Sequence, residues 1–428
     1  MARLLLISIV HEPDTVSTAT IVTRLARELR NRGHDVAVLT SIPHYNPGAA
    51  VRGHPRYRAS LLRPFRVDEE GGVRIVRCYV PQKPEVVARR LLDFAILHAE
   101  MGVGVLRYFR DRQVVIVISP PLTLALVGFI GRLLSQGRLI YNVQELWPDV
   151  PRDLGVVRNR RLLAVLDAVE RWIYRSADKV VAIGPEFARV IVDRGGRPGD
   201  TVVIPNSVDT SVIVPERKDN PLSRAWGLAA APVVLYAGNI GLTQDFDSVF
   251  HAARRLADEG VHFVIVGGGA ARRGLEVRIR RERPRNVELR DFVPWDRVSQ
   301  LYGMADVVLV PLREGHDRTT TPSKIFSAMA AGRPLVVSAS HDTDLAMTIV
   351  RSKAGLVVPP GRPDCLADAI MRLLSNRRSE VWDSEVARTI AQRHSPEAIT
   401  SSYERLLASL GLGPEEVETR SGDLNLIT

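Results

Sequence analysis

Short apolar runs alternate with segments of helical period along most of the chain. Leu4 to Val10 opens the series as an unbroken apolar run. Thr20 to Arg32 follows as a helix, with Ile21, Val22, Leu25, Ala26 and Leu29 on one face and Gly33 as its stop. Asp35 to Thr40, Val73 to Arg77, Val114 to Ser119, Arg138 to Asn142, Lys179 to Ile183 and Thr201 to Ile204 read as further strands. This alternation predicts βαβ units and parallel sheets.

Pro205-Asn206-Ser207-Val208-Asp209 then interrupts the pattern, and the polar, proline-bearing stretch to Pro232 marks a domain boundary near 205 to 230. After it the alternation restarts. Strands are expected at Val233 to Ala237, His262 to Val266, Val287 to Arg290, Asp306 to Pro311, Pro334 to Ser338 and Leu356 to Val358. The pattern predicts an α/β chain of two Rossmann-like, doubly wound domains, 1–205 and 206–395. A terminal helix, 396–412, is expected to pack back on the N-terminal domain, with 413–428 as a flexible tail.

Composition narrows the function. The 428 residues exceed one typical core. Two cysteines far apart, scattered histidines and no HExxH pair indicate neither a disulfide framework nor a metal site. A net charge of +10 favours an anionic partner, but no zinc finger, Arg/Lys block or RNP-like motif points to nucleic acid. The N-terminus lacks a cleavage site and suits a buried strand. The longest apolar stretch, Val114 to Gly131, is split by Ser119-Pro120-Pro121, so no transmembrane helix is expected. With the sparse cysteines, the compartment is read as reducing and cytoplasmic.

The run Thr321-Pro322-Ser323-Lys324 to Gly332-Arg333-Pro334 reads as a helix start and stop. Lys324 adds a full positive charge in the first turn, where the helix dipole favours an acid, and only five of the 58 basic residues are lysine. Two readings fit: an ordinary helix-to-strand connection with a surface lysine, or a helix start aimed at a phosphate. In doubly wound sheets ligands sit at the carboxyl ends of the strands. Those loops here include Gly238-Asn239-Ile240-Gly241, Gly267-Gly268-Gly269, Phe292-Val293-Pro294 and Leu312 to Pro322. The triple glycine imitates a dinucleotide fingerprint, but Arg272 stands at the third glycine position, and a tight strand-to-helix turn explains it better.

Arg32-Gly33-His34-Asp35, Glu145-Leu146-Trp147-Pro148-Asp149, Pro205-Asn206-Ser207-Val208-Asp209, Leu235-Tyr236-Ala237-Gly238-Asn239 and Pro322-Ser323-Lys324 with Gly332-Arg333-Pro334 together resemble family 4 glycosyltransferases of GT-B fold. The likeness covers about residues 3 to 410 and is greatest to the colanic acid and O-antigen branch. It implies two facing domains with a cleft between them, and transfer of a sugar from a nucleotide-sugar to an acceptor with retention. It implies no metal and no cofactor beyond the co-substrate, a UDP-sugar being the commonest choice.

The resemblance places Lys324 on the leaving diphosphate as first-choice catalytic residue. Asn239, Gly241, Val293, Arg318, Thr319, Thr321, Ser323 and Ser327 fall at donor-binding positions, Val293 through its backbone to the base. Departures accompany the matches. Thr319 and Ser327 stand where the family has two glutamates, and Asn239 and Gln244 stand where it has an Arg and Lys clamp. The clamp must then come from Arg313, Arg318 or Lys324.

On the other half, Glu145 reads as a base or orienter for the acceptor hydroxyl and Trp147 as a stacking surface, or alternatively as a helix-start carboxylate and a packing anchor. His11 and Glu12, closing the first strand, are further acceptor-binding candidates. Val86 to Arg110 mixes arginine with apolar residues in a pattern that suits either an anionic membrane or packing on the sheet. The resemblance implies lipid-linked glycan acceptors, and with them a peripheral site at the inner face of the plasma membrane is expected. Two alternatives keep the fold: a non-catalytic protein that binds a nucleotide-sugar or a partner enzyme, and a sugar-nucleotide epimerase.

Overall fold

A computed structural model describes residues 1–44, 51, 54–80, 87–147, 149, 152, 159–318, 322–375 and 381–412, with side chains of 87–92 outside the description. The chain divides into two compact units, one formed by residues up to Asn206 with the segment from Ile399, the other by Ser207–Ala398.

The first unit is built on an eight-stranded sheet of order β3-β4-β2-β1-β5-β6-β7-β8. Its strands are β1 (Arg3–Ile7), β2 (Asp35–Ser41), β3 (Phe65–Glu70), β4 (Val73–Cys78), β5 (Val114–Ile118), β6 (Arg138–Val143), β7 (Lys179–Ala182) and β8 (Thr201–Val203). Only β3 runs antiparallel, on β4, and the sequence pattern does not foresee it. Phe-Arg-Val-Asp-Glu-Glu is charged and half exposed, as an edge strand tolerates. The sheet reverses its winding between β1 and β5, so the loop after β1 opens at a switch point.

Each face of this sheet has its own core. On one, α1 (Ser17–Asn31) buries Val22, Leu25, Ala26 and Leu29 beside Ile399, Tyr403, Leu406 and Leu407 of the C-terminal helix, Pro396–Ser409. On the other lie α2 (Val87–Tyr108), α3 (Leu124–Ser135) and α4 (Arg160–Ser176). Within the stretch read as membrane-facing, Leu97 and Phe109 belong to this core; Phe94, Val103 and Leu106 are exposed. Arg89, Arg90, Leu91 and Leu92 lie outside the described side chains.

The second unit carries a six-stranded parallel sheet of order β11-β10-β9-β12-β13-β14. Its strands are β9 (Val233–Ala237), β10 (His262–Val266), β11 (Val287–Arg290), β12 (Val307–Pro311), β13 (Leu335–Ser338) and β14 (Gly355–Val358). The four inner strands are buried almost throughout, as a sheet covered on both faces requires, while the edge strands β11 and β14 are partly exposed. Here the switch point falls between β9 and β12. Among the helices, α5 (Arg272–Glu282) follows β10 and α6 (Lys324–Ala330) follows β12.

Candidate active site

In the second unit the backbone itself forms the floor at the switch point. The loop after β9 lies against the loop after β10, with Gly238 N–H donating to Val266 at 2.9 Å and Ile240 N–H to Gly268 at 2.8 Å. A Cβ on Gly267, whose φ is +149°, would stand 1.9 Å from the Gly238 carbonyl oxygen. The triple glycine is therefore the close approach of two loops, in keeping with the turn rather than the fingerprint.

Lys324 enters from the start of α6 and crosses to this floor. Its Nζ donates to the Tyr236 hydroxyl at 2.8 Å and lies 3.9 Å from the Tyr236 ring centroid. The Tyr236 hydroxyl in turn donates to the Asn239 carbonyl. A Cβ on Gly238 would come within 3.3 Å of Nζ, so glycine there leaves room for the ammonium. Although part of the Lys324 residue reaches the surface, burial around Nζ pushes its pKa down to about 7. No carboxylate forms an ion pair with it among the described residues.

The flanking positions are more closely tied. Gly241 N–H donates to Gln244 Oε1 at 2.7 Å, so the side chain in the place of a clamp cation braces its own loop. Arg313 donates to the Gln244 carbonyl at 3.0 Å and pairs with Asp247 at 3.7 Å; Arg318 pairs with Asp342. Ser327 is hydrogen-bonded to the buried Tyr302, whose hydroxyl burial pushes up to about 12. Ser323 precedes the helix with no side-chain cap bond, its carbonyl accepting from Phe326 N–H at 3.1 Å. Thr319 and Thr321 lie outside the described residues. At the carboxyl end of β11, Val293 lines a cavity of about 430 Å³ with Trp226, Arg272, Phe292 and Arg297. The Arg290 guanidinium lies 4.4 Å from the Trp226 ring centroid beside it.

In the first unit, His11 is buried just beyond β1. Its Nδ1 stands 2.9 Å from the Glu12 carbonyl, which can only accept, so Nδ1 carries the proton. Arg77 Nη2 donates to the same carbonyl at 2.8 Å, and Arg77 is itself fully buried and paired with Asp68. Burial, then the Arg77 charge, pushes the imidazole pKa down to about 4, leaving a neutral ring. Burial likewise raises the Glu12 carboxyl above its usual range, opposed by Arg27 and Arg24.

Beyond β6, Glu145 keeps open surface, yet the mass of surrounding protein raises its pKa. Leu146 is in the core and Trp147 packs against it, with an indole N–H that is buried and without a hydrogen-bond partner among the described residues. Asp149 is bound by Arg152 and Arg194. Asn206 and Gln144 exchange side-chain amide bonds of 2.7 and 3.0 Å, and Gln144 also donates to Asn142 at 2.7 Å, so the Pro-Asn-Ser motif fastens the loop after β8 to that after β6.

Sequence reasoning missed Tyr236 and Arg77. Each is a polar-headed residue inside an aliphatic strand, and the obligation of a buried hydroxyl or guanidinium to find a partner is the signal that marks them. Among the described residues no group of three or more His, Cys, Asp or Glu could hold a metal ion. No described helix is long and apolar enough to cross a membrane.

Comparison with known proteins adds a family. The family described as Glycosyl transferase 4-like domain matches residues 18–207, and Glycosyl transferases group 1 matches residues 231–376. WcaI of Escherichia coli (strain K12), a candidate colanic acid biosynthesis glycosyl transferase, is 26% identical over 353 residues, covering 80% of this chain and 84% of its own. Among solved structures, sucrose-phosphate synthase from Thermosynechococcus elongatus superposes with a TM-score of 0.73 at 19% identity, covering 96% of this chain and 99% of that one. HepE of Anabaena, in complex with UDP-glucose, gives 0.69 at 19% identity, covering 96% and 100%. With two family models in tandem over most of its length and one fold shared end to end, the chain belongs to the family 4 glycosyltransferases of GT-B architecture.

Proposed function

We propose that this glycosyltransferase moves a sugar from a nucleotide-sugar, UDP-linked, to a lipid-linked glycan acceptor with retention of configuration, in cell-surface polysaccharide synthesis at the cytoplasmic face of the plasma membrane. The observation that carries the donor half is the buried Lys324 ammonium at the switch point, joined to Tyr236 and, among the described residues, to no carboxylate. A desolvated cation of that kind is stabilised by an arriving anion, and a diphosphate supplies one. As the glycosidic C–O bond breaks, its electron pair passes to the diphosphate oxygen, where Lys324 and the first amides of α6 stabilise the charge. The acceptor oxygen bonds to the freed carbon. Its proton passes to Glu145 or to the departing diphosphate.

HepE, a structural relative solved with UDP-glucose, supports the uridine reading, and WcaI supports the polysaccharide setting. The test is a binding and hydrolysis screen against UDP-, GDP- and dTDP-sugars with Lys324→Ala alongside. Selective binding with slow donor hydrolysis, both lost in the variant, is the expected result.

A second reading, a binding protein without turnover, draws on a separate observation. Ser327 is engaged by Tyr302, while Arg313 and Arg318 are each held by an aspartate. It predicts donor affinity with no transfer even when lipid-linked acceptors are supplied.

A further inference from the structure

The helices α2, α3 and α4 cover one face of the first unit's sheet, and their outward sides are unusual for a protein surface. The outer stripe of α3 is wholly apolar: Leu126, Ile130, Leu133 and Leu134 are exposed, Leu133 to 80%. On α4 the outward positions Arg161, Val165, Arg171, Trp172 and Arg175 follow helical spacing, with Val165 at 58% and Trp172 at 47% exposure. On α2 they are Phe94, Val103 and Leu106 with Arg107 and Arg110. These stripes are continuous. A Cβ on Gly102 of α2 would lie 3.7 Å from Ile130 of α3, and the Phe129 ring of α3 stands 4.5 Å from the Trp172 ring of α4. Contiguous apolar surface of this kind marks an interaction site.

The charge on the face selects the occupant. Arg107, Arg110, Arg161, Arg171 and Arg175 pair with no carboxylate among the described residues. The acids of α4 are already engaged: Asp167 by Arg152 at 3.0 Å, and the buried Glu170 by Arg194 and Tyr174. Two copies of this face meeting about a two-fold axis would bring like charges together, which disfavours self-association. We propose that the α2–α3–α4 face docks on an anionic lipid bilayer, its leucines and Trp172 entering the boundary between headgroups and acyl chains and its arginines meeting lipid phosphates. The exposed side of α5 in the second unit gives the contrast. It is also rich in arginine, but Val277 is its exposed large apolar residue, and Arg272, Arg278 and Arg281 are paired with carboxylates. This surface deepens the membrane setting proposed above and rests on it, but it does not depend on the transfer chemistry.

The test is flotation of the full chain with vesicles of phosphatidylcholine alone and with roughly a third phosphatidylglycerol added. Three folded variants are compared: Ile130→Asp/Leu133→Asp, Arg161→Glu/Arg171→Glu/Arg175→Glu, and the control Arg273→Glu/Arg280→Glu on α5. The chain is expected to float with the anionic vesicles and to lose at least about tenfold in partitioning in either of the first two variants. The control should float as the unmodified chain does. Equal flotation of all four proteins would overturn the proposal, since net positive charge alone would then be responsible. So would a stable dimer in solution dispersed by Leu133→Asp, or binding to an acidic protein in place of vesicles. Donor hydrolysis without vesicles reads the catalytic proposal separately: a chain that floats but hydrolyses nothing sinks that proposal and leaves this one standing.

Discussion

Lys324 and His11 stand at the switch points of two similar sheets, and burial lowers the pKa of both, yet they reach opposite states. The lysine is brought to about 7 by desolvation alone, with no charged neighbour acting on it among the described residues, so a modest gain from an anion restores its charge. The imidazole, brought to about 4 by burial and by the adjacent Arg77, stays neutral across the physiological range, its proton fixed on Nδ1 by the Glu12 carbonyl. Depth of burial is shared; the neighbour decides. A lysine with no counter-ion among the described residues awaits one, whereas a histidine beside a buried arginine presents an uncharged ring.

The largest expected effect tests the lysine. Lys324→Ala should lower turnover by about 10³-fold, since it removes the donor that stabilises the leaving diphosphate. A loss of only a few-fold would make Lys324 an ordinary buried residue. Glu145→Gln should slow turnover by roughly 10²-fold while sparing donor affinity; unchanged kinetics would remove Glu145 from the mechanism.

The pH dependence sharpens the contrast. Binding a diphosphate favours charged Lys324, so donor affinity should be flat below pH 7 and weaken by up to about tenfold per unit above it, a slope absent from Lys324→Met. The stability effect has the opposite sign. A base whose folded pKa is lowered opposes folding most strongly below that pKa and less as pH rises toward its unfolded value. Lys324→Met should therefore raise Tm at pH 7, and the gain should shrink as pH approaches 10. By NMR the His11 ring should show no titration between pH 5 and 8, and a midpoint near 6.5 would erase the distinction between the two sites. The smallest effect is Tyr236→Phe, which keeps the ring under Nζ and removes the hydroxyl's two hydrogen bonds, one from Nζ and one to the Asn239 carbonyl; about a fivefold loss of donor affinity is expected by titration calorimetry.

Much of the fold is legible in the sequence because a strand covered on both faces must be apolar throughout. Val233 to Ala237, His262 to Val266 and Leu335 to Ser338 stand where the pattern puts them. Phe65–Glu70 escapes because an edge strand with half-exposed faces carries no such demand. Lys324 is marked in advance by its place in a helix start, against the preference of the dipole. The engagement of Ser327 by Tyr302 and of Arg318 by Asp342 is not, since both partners of each pair are common surface-compatible residues whose meeting depends on chain packing.

Periodicity and composition sufficed for two parallel sheets and the break near residue 206, because hydrophobic burial and turn chemistry are written locally, while the family rested on the likeness of five short motifs. Which ionisable groups lose their water and which neighbours meet them followed from packing. Arg77 reaches His11 across 66 positions of chain, and Tyr236 reaches Lys324 across 88. Separations of that length leave no periodic trace, so the charge state of each site belongs to the folded molecule alone.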